Sequence, residues 1–245
     1  MPSGLHTEKT ELLDLQSGSC LTDFLAFLIA NTVGGLISTN KVLLCDIFCQ
    51  QPCDKCVILD TSNYLTPSKT VIPCPLCSRR YLAGSIIMEN QEGKSELWIT
   101  GGWNKKNGGG LEMFQTTILV SETEARPGEA LPFKVYGHCL VKINSTTIVM
   151  LGGFKPGGVD GACSKETWYF HVMESQWKSG PDMNTPRYNH ACDIFDFNGD
   201  QYIIVTGGEE KVRGGLTTTN EATLTSTEFL LQDSTTWKEG KDGKM

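Results

Sequence analysis

Three stretches of this chain, Leu97-Trp98-Ile99-Thr100-Gly101-Gly102, Ile148-Val149-Met150-Leu151-Gly152-Gly153 and Ile203-Ile204-Val205-Thr206-Gly207-Gly208, align as four mostly apolar residues closed by a glycine pair. Gly101 precedes Gly152 by 51 residues, and Gly152 precedes Gly207 by 55. A period of this length is longer than those of several common repeat families and marks a unit large enough to hold several strands. The chain therefore has to be read as copies of one unit.

More of the unit recurs around each glycine pair. Tyr136-Gly137-His138 and Arg187-Tyr188-Asn189-His190 each lead into an apolar segment, Cys139 to Ile143 and Ala191 to Phe195, read as first strands. The quartets before Gly-Gly are second strands. Thr116-Thr117-Ile118-Leu119, Thr167-Trp168-Tyr169-Phe170 and Thr227-Glu228-Phe229-Leu230 follow after polar, Gly-rich loops as third strands, and Trp177 and Trp237 mark fourth strands. A four-stranded sheet with apolar residues on both faces cannot cover itself, whereas sheets packed radially around an axis cover one another. A glycine pair at the end of the second strand fits a corner that needs unusual dihedrals or a close backbone approach.

With these elements in place the chain resembles the kelch-repeat family over residues 78–237, with Asp182-Met183 and Pro186-Arg187 matching its linker between blades. The resemblance implies an all-β, kelch-type β-propeller of about four and a half four-stranded blades. Within a single domain, 1–245, it divides the chain into a partial blade at 7–30, a degraded blade at 31–77, and blades at 78–132, 133–183 and 184–240. In the degraded blade Lys41 to Cys45 reads as a second strand with Asp46-Ile47 where Gly-Gly would stand, and Cys56 to Asp60 as its third. Thr10 to Leu15 reads as a third strand with nothing ahead of it, so the ring is expected to be incomplete, with exposed edges.

Charge and hydropathy exclude several functions. The formal net charge is -7 and Lys and Arg are scattered, which leaves no basic stripe for a nucleic acid. Phe24 to Ile37, the one long apolar run, contains Asn31, Gly34 and Gly35 and is too short to span a bilayer as a helix, so no membrane partner is expected. Met1 to Asp14 carries charges and no apolar core of a leader, which places the chain as written in the cytosol, or outside the cell if a leader precedes it.

Ten cysteines complicate that placement, because Cys20, Cys45, Cys49, Cys53, Cys56, Cys74 and Cys77 crowd the first 77 residues. Cys53-x-x-Cys56 and Cys74-x-x-Cys77 have the spacing of a four-cysteine zinc site. The rival reading is disulfides, Cys45 to Cys56 bridging strands two and three of one blade with Cys74 and Cys77 either bridged or free, and such bonds need an oxidising compartment. Buried inert thiols are the default reading for a cytosolic chain and the expectation for Cys139 and Cys192. Asn144-Ser145-Thr146 is a glycosylation sequon, which suits export.

Catalysis finds little support. Of His6, His138, His171 and His190, the second and fourth occupy equivalent repeat positions and are read as blade residues. Asp193 and Asp196 lie near His190 without any nucleophile in a recognisable context, and nothing matches the copper ligand set of the propeller-containing copper oxidases. Gly108-Gly109-Gly110 and Gly157-Gly158 lack the Lys and helix of a phosphate loop and read as flexible loop tips.

The resemblance thus implies a non-enzymatic scaffold without cofactor that binds another protein through loops Trp103 to Gln115, Phe154 to Glu166 and Glu209 to Ser226. Lys105, Lys106, Lys155, Lys211 and Arg213 place positive charge on those loops of an acidic chain, so an acidic partner segment is expected, unless the lysines only keep the loops solvated. A substrate-receptor role in a cullin ubiquitin ligase is one form this takes in kelch proteins, although no BTB or BACK region precedes the blades. The alternative is a secreted propeller holding disulfides or a metal, like galactose oxidase in fold but without its copper site.

Overall fold

The computed structural model describes residues 12–13, 20–21, 32–46, 54–63, 67–106, 108–157, 162–214 and 218–240, and among them there is no helix. Four four-stranded antiparallel sheets follow one another along the chain, each with its strands in sequence order. Sheet one is Thr32–Ser38, Lys41–Asp46, Lys55–Asp60 and Ser68–Pro73. Sheet two is Gly84–Glu89, Ser95–Thr100, Thr117–Val120 and Ala125–Pro127. Sheet three is Cys139–Asn144, Thr147–Leu151, Thr167–His171 and Gln176–Ser179. Sheet four is Ala191–Phe197, Asp200–Thr206, Thr227–Leu231 and Lys238–Gly240. Ahead of them Leu12–Leu13 pairs with Cys20–Leu21; the rest of the partial blade expected at 7–30 lies outside the described residues.

Consecutive sheets touch through their first strands, 32–38 against 84–89, 84–89 against 139–144, and 139–144 against 191–197. First strands therefore lie innermost, and the sheets fan outward as in a propeller. The apolar quartets explain the packing. Leu97 and Ile99 face sheet one in a core with Leu43, Ile58 and Ile72, while Trp98 faces sheet three with Ile148 and Phe170. Val149 and Leu151 then pack on Ile203, Val205 and Leu230 of sheet four. A second strand sandwiched on both faces needs apolar residues at every position, which is why its pattern runs on instead of alternating. Trp237 closes the last of these interfaces, its indole N–H donating to the Pro181 carbonyl at 2.9 Å, and Trp177 packs on Phe170 at 5.0 Å between ring centres.

Both reasons for the glycine pairs hold. All six glycines have positive φ, from 58° at Gly152 to 96° at Gly153. A Cβ on Gly152 would also stand 2.5 Å from the Arg187 carbonyl oxygen. The crowding has a purpose, since the Gly153 amide donates to that same carbonyl at 2.8 Å, and the Gly102 amide donates to the Val135 carbonyl at 2.8 Å. The first two corners are thereby tied to the linker that opens the next sheet. Sheet one lacks the pair and still forms four strands.

Two expectations need correction. The three long loops after the glycine pairs are, over much of their length, two-stranded ribbons: Trp103–Lys105 with Leu111–Met113, Phe154–Lys155 with Ala162–Cys163, and Glu209–Gly214 with Thr218–Thr223. Pairing satisfies backbone groups that an open loop would leave to solvent. Cys139 and Cys192, expected as inert thiols, are joined by a disulfide between the first strands of sheets three and four. Sequence separation of 53 residues is one repeat, and the radial arrangement brings the two strands side by side.

Candidate functional site

One repeat position organises the surface beyond the glycine corners. Tyr81, Tyr136 and Tyr188 each bridge to the residue that follows a glycine pair, namely Trp103, Phe154 and Glu209. The residue after each tyrosine, Leu82, Gly137 or Asn189, has φ between 51° and 62°, which turns the chain sharply enough to lay the tyrosine along the start of the ribbon.

The rings form a continuous row. Tyr81 stacks on Trp103 at 4.6 Å, Trp103 meets Tyr136 at 6.1 Å, Tyr136 stacks on Phe154 at 5.2 Å, and Phe154 meets Tyr188 edge-on at 5.6 Å. Offset and edge-on contacts of this kind add to the area they bury. Tyr188 donates to Glu209 at 2.7 Å, and Arg79 donates to the Tyr81 hydroxyl at 2.6 Å. Phe154 and Tyr188 are buried, whereas Tyr81, Trp103 and Tyr136 are half-exposed, beside exposed Leu82 and Leu111.

The expected cationic residues lie on these ribbons. Lys105 and Lys106 are exposed at the tip of the first. Lys155, on the second, is ion-paired with Glu166 and sits 4.8 Å above the Phe133 ring. Lys211, on the third, lies 5.1 Å from the Phe154 ring centre, and its amide donates to the Cys163 sulfur at 3.1 Å, so the second and third ribbons touch. The Arg213 side chain lies outside the described residues.

The buried charged groups serve the fold. Arg187 and Glu228 are fully buried and joined at 2.7 Å. Arg187 also donates to the Gly207 carbonyl at 2.8 Å, while Glu228 accepts the amides of Asn184 and Thr185 at 2.6 and 3.0 Å. Arg80 repeats the carbonyl contact at Gly101 without a carboxylate, and burial lowers its pKa to about 10. Burial likewise pushes His138 down to about 4 and His190, helped by Arg187 and His138, down to about 3. His138 shares a 2.7 Å hydrogen bond with Thr100; in the next repeat Leu151 stands at the threonine position and both ring nitrogens of His190 lack a hydrogen-bond partner.

Sulfur chemistry centres on sheet one. Cys45 and Cys56 are bonded directly across the second and third strands, and Cys74 is bonded to Cys77 in the turn that follows the fourth. The Cys56 and Cys77 sulfurs approach to 3.9 Å. Of the residues in the zinc reading, Cys53 lies outside the described residues and Cys56, Cys74 and Cys77 are bonded, so none of these three offers a thiolate in this form. Cys163 is unbonded and half-buried, and burial raises its pKa.

No family model matches this chain, and no curated protein matches it. Among solved structures it is similar to that of YjhT, with a TM-score of 0.62 at 14% identity over 86% of this chain. The likeness is one of fold. The matched region spans 64% of the YjhT chain.

The row of tyrosines was not anticipated from the sequence as a site. Its signal was present as Tyr81, Tyr136 and Tyr188 standing 20, 16 and 19 residues ahead of the first glycine of each pair.

Proposed function

We propose that this chain is a kelch-type propeller segment whose ribbon face binds another protein without catalysing a reaction on it. The continuous aromatic row from Tyr81 to Tyr188, half-exposed at its Tyr81 end and flanked by Lys105 and Lys106, carries this reading. Rigid aromatics with apolar neighbours and a polar rim are the composition of protein-binding hot spots. Backbone pairing holds them in place: Tyr81, Tyr136 and Tyr188 each bridge to the first residue of a ribbon, and two of those residues, Trp103 and Phe154, are themselves rings of the row. Two exposed lysines at the tip favour an acidic segment of the partner, which docks against Trp103 and Tyr81 while its carboxylates meet Lys105 and Lys106.

The disulfides favour a protein of an oxidising compartment over a cytosolic substrate receptor. This joins the two readings of the sequence, a binding scaffold and a disulfide-bearing secreted propeller, into one. His138 and His190 are packing residues in it, and no cofactor is assigned.

An array of acidic peptides probed with the oxidised protein tests the reading. Retention at low salt that is weakened by Trp103→Ala and by the pair Lys105→Glu and Lys106→Glu supports it. Retention indifferent to all three substitutions, or none on any acidic peptide, refutes it.

A further inference from the structure

The geometry points to Asn144 as the acceptor of an N-linked oligosaccharide, placed on the end of the molecule opposite the ribbons. Asn144-Ser145-Thr146 is the one Asn-x-Ser/Thr triplet in the sequence. It forms the hairpin turn between Cys139–Asn144 and Thr147–Leu151, and all three residues are exposed while Thr147 beside them is buried.

The side chains are arranged for the reaction. The Asn144 amide oxygen accepts the Thr146 N–H at 2.9 Å and the Thr146 hydroxyl at 3.0 Å. The amide nitrogen, the atom that is modified, has no partner among the described residues. A turn asparagine alone is ordinary here, because the equivalent turns of the other sheets hold Asn40, Asn90 and Asn198. Those are followed two residues on by Val42, Glu92 and Asp200, so only the third sheet adds the hydroxyl.

A second observation is independent of the triplet. Three disulfides lie among the described residues, and protein disulfides form and persist where secretory chains mature, the compartment in which asparagine is also glycosylated. In the transfer a bond forms between the Asn144 amide nitrogen and C1 of the sugar. The C1–O bond to a polyisoprenyl diphosphate carrier breaks, the diphosphate leaves with the electron pair, and the amide nitrogen loses one proton.

Position decides what the glycan does. The strand Thr147–Leu151 runs from the turn to the Gly152-Gly153 corner, about 17 Å at strand rise, and the ribbons begin beyond that corner. The glycan therefore covers the hairpin end and leaves the aromatic row open. That last step rests on the ribbon-face reading; the modification itself does not.

Expression of the chain behind a supplied secretion leader in a eukaryotic cell tests the assignment by intact mass and peptide mapping. The wild-type chain should carry one oligosaccharide, removed by peptide N-glycosidase with conversion of Asn144 to aspartate. Asn144→Gln and Thr146→Ala should each lose it completely, and Ser145→Ala should keep it. Chain retained inside the cell gives the same readout by endoglycosidase shift. A disulfide-bonded chain with unmodified Asn144, in medium or in the cell, overturns the inference. Acidic-peptide retention by Asn144→Gln reads the ribbon proposal separately, since that face is intact in the variant.

Discussion

At the scale of single residues the glycine corners and the buried charges make the sharpest claims. Gly152 needs glycine twice over, for its φ of 58° and for the carbonyl 2.5 Å from a would-be Cβ, whereas Gly93 has a φ of 76° with nothing within 4 Å. Gly93→Ala should therefore cost only the left-handed backbone, about 1–2 kcal/mol. Gly152→Ala should cost at least about 2 kcal/mol more, because the obstructing atom is backbone of the next linker. Urea midpoints of the two variants compare them directly, and equal losses would remove the close approach as a cause. Glu228→Leu should cost about 3–5 kcal/mol, since it strands a fully buried guanidinium and two amides at once. Denaturation of that variant with a midpoint near the wild type would show that Arg187 finds water.

At the scale of elements, second and third strands were legible because each is short, apolar and repeated: the strands ending at Thr100, Leu151 and Thr206 fall where the quartets place them. The ribbons were not legible. Segments such as 103–113 and 209–223 are polar and glycine-rich, without alternation, and the tyrosine that bridges to the first residue of each comes from an earlier linker. The Cys139–Cys192 bond was hidden for a related reason, since its partners are one repeat apart and meet only when neighbouring first strands lie together. That bond closes a loop of 53 residues, so by chain entropy it contributes about 4 kcal/mol, against about 2 kcal/mol for Cys74–Cys77 with its separation of 3. Replacing both members of each pair by alanine and comparing thermal midpoints should give losses in that order. A larger loss from the Cys74 and Cys77 pair would contradict it.

At the scale of the whole molecule, two buried imidazoles make the fold sensitive to acid. His138 and His190 have folded pKa values of about 4 and about 3, against an ordinary value near 6.5, so they stay neutral in the fold and gain protons on unfolding. Between those values the unfolded chain binds more protons, and stability falls as pH drops. It is fully present above about pH 6.5 and is lost progressively towards pH 4, by about 2 kcal/mol for each ring at pH 5. Urea midpoints at pH 7 and pH 5 should differ accordingly, and His190→Leu, which removes a ring with no hydrogen bond, should shrink the difference. A midpoint that does not move between these pH values would mean that neither ring is desolvated in solution.

The amide of Gly102 is satisfied by Val135 and that of Gly153 by Arg187, each more than thirty positions downstream. A ribosome extruding this chain presents each of these two corners before the carbonyl that completes it. Closure of the second and third sheets at these corners therefore trails synthesis of the corners themselves by more than thirty residues.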